Sequence, residues 1–164
     1  MFVIDKLAEV YTTLAIPESG LILLSATLGA LIGLEREIAG KDPSLRTFSL
    51  ICIGSCVFSI LSREAVMDNQ FADPSRIAAQ IVTGIGFLGA GAIFRSRGRV
   101  SGLTTAALMW VTAAIGAAVG FNLLPVALSA TVTVLFIVVA LRMVHRIIQW
   151  CHKEPIPRMA DGDD

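Results

Sequence analysis

Two carboxylates, Glu35 and Glu37, close the first long apolar run of this chain, with Arg36 between them and Arg46 shortly after. Carboxylate oxygens in this setting collect Mg²⁺ or another hard cation, directly or through water. They also form interfacial salt bridges with Arg36, Arg46 or Arg95 that fix the adjoining loops. Spacing alone favours the salt bridges. Further along, Arg76, Gln80 and Thr83 share one helical face at the start of another apolar run. Gln80 is the one amide well inside any apolar run, and it either lines a cavity or hydrogen-bonds to a neighbouring helix. No charged residue lies at the middle of a run. A proton relay or ion-driven pump normally needs one, so that class loses weight.

Other patterns carry less chemistry. Gly84-Ile85-Gly86-Phe87-Leu88-Gly89 matches the dinucleotide fingerprint, but it sits inside an 18-residue apolar run with no strand before it and no acidic residue at the right distance. Cys52 and Cys56 are one helical turn apart with no further ligand nearby, so they read as small packing residues rather than half of a metal site. Cys151 and His152 are adjacent and point to different faces. Two histidines and scattered carboxylates assemble no hydrolase set, which argues against an enzyme and against a bound cofactor.

Five apolar stretches must position these residues: Ser19–Leu34, Phe48–Leu61, Ile77–Phe94, Leu103–Phe121 and Leu123–Leu141. Hydrophobic residues make up 55% of the chain and charged residues 16%, a balance that suits a surface facing lipid. A crossing helix needs about 20 apolar residues. The pattern predicts an all-α polytopic bundle of five transmembrane helices, with the first two borrowing flanking residues. Val3, Leu7, Val10 or Tyr11, and Leu14 recur at helical spacing, so residues 1–17 read as an interfacial segment, with a frayed terminus as the equal alternative. Residues 18–145 then form one membrane domain and 146–164 a cytoplasmic tail.

Charge sets the expected orientation. Lys6, Arg63 and Arg76 lie on one side of the predicted bundle. Arg36, Lys41, Arg46, Arg95, Arg97, Arg99, Arg142, Arg146, Lys153 and Arg158 lie on the other. Lys and Arg mark the cytoplasmic side, so the N-terminus is expected outside and the C-terminus in the cytoplasm.

Small residues set the expected packing. Gly29 and Gly33, Gly84 and Gly91, Gly86 and Gly89, and Gly116 and Gly120 each lie on a common helical face and permit close backbone approach in lipid. Two such faces on the third run predict a central position for it. Thr105, Thr112 and Gly116 form a further stripe. Asp73 and Pro74 read as a helix start, and Asn122 as the turn of a tight hairpin.

Several blocks, in this order and spacing, strongly resemble the bacterial MgtC/SapB family. They are Gly33-Leu34-Glu35-Arg36-Glu37, Leu45-Arg46-Thr47, the stretch from Asp73 to Ile93, Gly102-Leu103-Thr104-Thr105-Ala106-Ala107, and Trp110 to Gly116. The resemblance implies a multi-pass protein of the bacterial inner membrane without established enzymatic activity. The family's namesake is tied to growth at low Mg²⁺, to survival in macrophages and to restraint of ATP synthase, and it carries a soluble domain after its fifth helix. Here residues 142–164 are too few for that domain, and a short member is expected. Thr104 stands where the namesake has Asn, Ser101 where it has a basic residue, and Ser44 where it has Gly. Carried over by motif, Glu35, Arg36, Glu37, Arg46, Asp73, Arg76, Gln80 and Thr104 are the candidate functional positions.

Two functions compete. The first is a regulatory protein that binds another membrane complex, such as ATP synthase, under Mg²⁺ limitation or stress. The second is a homo-oligomeric Mg²⁺ transporter or channel, with Gln80 and the threonine stripe along its path and Glu35 and Glu37 at its inner mouth. Neither requires nucleic acid.

Overall fold

A computed structural model describes residues 17–67, 73, 75–96 and 99–151. Among these residues the chain forms helices α1 (Glu18–Ile38), α2 (Leu45–Met67), α3 (Ser75–Gly91), α4 (Leu103–Gly120) and α5 (Leu124–Cys151). Strands β1 (Phe94–Ser96) and β2 (Arg99–Ser101) pair antiparallel between α3 and α4, with Arg95 opposite Val100. The interfacial segment expected over 1–17 and the tail beyond Cys151 fall largely outside the described residues.

Local chemistry explains the helix ends. After α1, Gly40 adopts a left-handed φ of 68°, and the Lys41 N–H donates to the Arg36 carbonyl at 3.0 Å. The same six-to-one closure ends α4, where Asn122 has φ 60° and the Leu123 N–H donates to the Ala118 carbonyl at 2.8 Å. Both are Schellman turns, which satisfy carbonyls that a helix end leaves open. Asn122 therefore makes the tight hairpin that joins α4 to α5.

Among the described residues three helices, not five, are long and apolar enough to cross a membrane: Leu45–Ala65 in α2, Leu103–Gly120 in α4 and Leu124–Ile148 in α5. This corrects the expectation of five transmembrane helices. In α1, Glu18 at one end and Glu35, Arg36 and Glu37 at the other confine the apolar run. α3 has only 17 residues, because Ile93 and Phe94 leave the helix and Phe94 starts β1. Its first two turns also hold Arg76 and Gln80.

The packing centres on α2 and α4 rather than on α3. α4 touches α1, α2, α3 and α5, whereas α3 packs only on α2 and α4 among the main helix contacts. Phe48, Cys52 and Cys56 of α2 and Ile115 and Val119 of α4 are fully enclosed. Small residues make this possible. A Cβ on Gly33 would strike the Leu45 backbone, and one on Gly116 would strike the Cys52 backbone. Gly29 and Gly120 make similar approaches, so glycines of α1 and α4 both land on α2. α5 is held mainly through Ala127 and Thr131, and it exposes Val132, Phe136 and Ile147. In a membrane that face meets lipid.

Candidate functional site

The bundle has two chemically different ends. At one, the start of α1 meets the ends of α2 and α4. Arg63 donates to Glu18 Oε1 at 3.2 Å and to the Gly120 carbonyl at 3.3 Å. At the other, the end of α1 meets the starts of α2 and α4, the end of α3 and the later turns of α5. Arg36, Lys41, Arg46 and Arg142 gather there.

Glu35 and Glu37 part company at this basic end. Glu35 is only 8% exposed and forms an ion pair with Arg142 of α5, which also donates to the Glu35 carbonyl at 3.4 Å. Arg36 is 4% exposed and donates from Nη2 to Thr105 Oγ1 of α4 at 3.3 Å. Glu37 is exposed and faces a cavity instead. The two carboxylates thus serve different elements. Among the described residues no group of three or more His, Cys, Asp or Glu side chains gathers to hold a metal.

Two cavities organise most of the remaining candidates. The first, of about 1320 Å³, lies at the basic end between the α1–α2 loop, the end of α3, the hairpin and the start of α4. Arg36, Glu37 and Arg46 line it. The second, of about 1150 Å³, is a groove between α2 and α3. Arg46 and Thr47 sit at its basic end, Ser55 and Gln80 further along, and Asp73 and Arg76 at its far end. Arg46, Thr47 and Leu88 belong to both, so the cavities adjoin. Gln80 faces this groove. Thr104, exposed in the first turn of α4, lines neither cavity.

Asp73 has a second task. The Ser75 N–H donates to its Oδ1 at 2.8 Å, which ties down the first turn of α3. The hydrogen bonds from Ser75, with Arg76 nearby, hold the Asp73 carboxyl below its ordinary value. The α3 glycines behave unlike those of α1 and α4. Gly89 lies 3.7 Å from the Ala106 side chain by its notional Cβ, but Gly84, Gly86 and Gly91 have nothing within 4 Å. Of the α3 residues only Ile85 and Gly89 are buried. α3 therefore presents an open face with Gly84 and Gly91 on the side of Gln80 and the groove, while Gly86 lies on the opposite side.

Sequence reasoning missed Arg142 as the partner of Glu35. The signal was available: Arg142 ends the last apolar run at the same membrane level at which Glu35 ends the first, with opposite charge. Lys41 was read only as a cytoplasmic charge, and Thr105 only as part of the threonine stripe; the contact of Thr105 with Arg36 was missed, since nothing in the spacing ties the end of α1 to the start of α4.

The sequence profile of the MgtC family matches residues 22–147, a segment that includes all five described helices except the ends of α1 and α5. The chain belongs to the MgtC family. It is 41% identical over 123 residues to the MgtC protein of Brucella abortus, covering 75% of this chain and 50% of that one. It is 45% identical over 122 residues to YhiD of Escherichia coli, whose name proposes magnesium transport, covering 71% and 56% respectively. The protein SrpB of Synechococcus elongatus is 39% identical, with 87% of this chain and 90% of that one covered. The chain thus spans about half the length of the MgtC and YhiD relatives and most of SrpB. No solved structure matches it. Family membership and three apolar helices make this MgtC-family chain a multi-pass membrane protein.

Proposed function

We propose that this protein is a non-catalytic membrane regulator that binds a transmembrane helix of another complex along the α2–α3 groove, under Mg²⁺ limitation or stress. The open face of α3 is the observation that carries this reading. Gly84 and Gly91, on the same face of α3 as Gln80, leave backbone accessible where a partner helix can approach closely. Gln80 beside them offers an amide hydrogen bond that lipid cannot satisfy. ATP synthase is the partner that the family resemblance suggests. We place the basic end in the cytoplasm and the N-terminus outside, following the positive-inside bias.

ATP-driven proton pumping in inverted bacterial membrane vesicles tests this reading. Wild-type protein should lower pumping, and a Gln80→Leu, Gly84→Leu variant inserted at the same level should not. Unchanged pumping with inserted wild-type protein would remove ATP synthase as the partner.

Magnesium transport is the second reading, favoured by the name of the Escherichia coli relative and by the cavity at Gln80. The donor set weighs against it. Among the described residues the groove is lined by one carboxylate, Asp73, against the guanidinium groups of Arg46 and Arg76, whereas Mg²⁺ seeks oxygen ligands and repels cations. Mg²⁺ flux in liposomes that disappears in Gln80→Leu, with folding intact, would reverse this preference.

A further inference from the structure

The cavity at the basic end has a lining that the regulatory reading does not use. Three cations, Arg36, Lys41 and Arg46, face it against two carboxylates, Glu37 and Asp42. The charges differ in depth. Arg36 is 4% exposed and held by Thr105, while Glu37 and Asp42 are at the surface. Arg46 is exposed as well and Lys41 half-buried, so the one buried charge among the described lining residues is a cation, Arg36. The start of α4 adds to this, because its N-cap Gly102 has no side chain to satisfy the first-turn amides. The rest of the lining includes apolar side chains from α3, β1 and α4, namely Phe87, Leu88, Phe94 and Met109. At about 1320 Å³ the space exceeds the roughly 300–1,000 Å³ of ordinary small-molecule sites.

We propose that this cavity holds an anionic phospholipid, with its headgroup phosphate at Arg36, Lys41 and Arg46 and acyl carbon along Phe87, Phe94 and Met109. The cationic part of the lining matches a phosphate and the apolar part a hydrocarbon chain. Basic pockets between membrane helices on the cytoplasmic side take such headgroups. A free phosphate would leave the apolar lining unmatched, and a zwitterionic lipid would not use the excess positive charge. The cavity adjoins the α2–α3 groove through Arg46, Thr47 and Leu88 and reaches Gly91 of α3, but lipid retention is read without any protein partner, so its failure is distinguishable from the failure of the regulatory reading.

Native mass spectrometry of the full chain, in detergent containing equal phosphatidylglycerol and phosphatidylcholine, tests this. Wild-type protein should retain phosphatidylglycerol in preference. Lys41→Gln and Arg46→Gln should each lower that retention by about fivefold. Arg146→Gln, which removes an exposed cation outside the cavity, should leave it unchanged. Equal retention of the two lipids by wild-type protein would overturn the proposal, a result that needs no variant to fold. So would an equal loss in Arg146→Gln, which would reduce the effect to surface charge. Displacement of phosphatidylglycerol by millimolar inorganic phosphate would assign the cations to a soluble anion and also overturn the lipid.

Discussion

Glu35 and Arg142 join residues 107 positions apart, one from the end of α1 and one from α5. Removing one partner of a buried pair leaves the other charged without compensation, which is costlier than never having the pair. Glu35→Gln should therefore lower stability by roughly 1–3 kcal/mol, given that Arg142 retains some solvent access. Thermal unfolding in detergent reads this, and the swapped pair Glu35→Arg, Arg142→Glu should recover part of the loss. An unchanged midpoint in Glu35→Gln would mean that the ion pair contributes nothing. Asp73 gives a pH-dependent counterpart outside the membrane. Its folded carboxyl titrates below the ordinary 3.8, so its capping contribution is complete above that value and is lost as pH falls through the lowered one. Hydrogen exchange in the first turn of α3 should differ between wild type and Asp73→Ala at neutral pH. That difference should vanish well below 3.8. A difference that persists in acid would show that the charge is not what caps the helix.

Among the elements, glycines of one sequence pattern do two different jobs. Gly116 meets the Cys52 backbone, and Gly84 meets nothing. Gly116→Leu should consequently destabilise the bundle by at least about 1–3 kcal/mol, the usual cost of overpacking, while Gly84→Leu should leave thermal stability unchanged. Equal effects would mean that α3 is packed in the membrane and not open. Spacing could reveal that these glycines share faces, but it could not say which faces are occupied, because that depends on partner helices. The same limit explains α3. Two small faces suggested a central helix, yet α2 and α4 hold that place through Phe48, Cys52, Ile115 and Val119. α4 and α5 were legible because uninterrupted apolar length is a one-dimensional property, whereas the second run, Phe48–Leu61, read as short and its crossing segment extends to Leu45–Ala65. The hairpin at Phe94–Ser101 was not, since three-residue strands leave no periodicity to read. At the site, the polar residues worth attention were legible from their rarity in apolar runs, as with Gln80. Which of them meet was not, as the separation of Glu35 from Glu37 illustrates.

For the whole molecule, a tightly packed α1–α2–α4 core supports an α3 left open beside a groove. A protein that acts alone gains nothing from exposing glycine backbone to lipid, whereas a protein that docks on another helix needs such a face. Site-specific photocrosslinking in native membranes tests this most directly, with a photoreactive residue at Gly84 and, as a lipid-facing control, at Val132 of α5. Discrete protein adducts at position 84 and only lipid adducts at position 132 are the expected result. Lipid adducts alone at both positions, in correctly inserted protein, would contradict a docking role for α3.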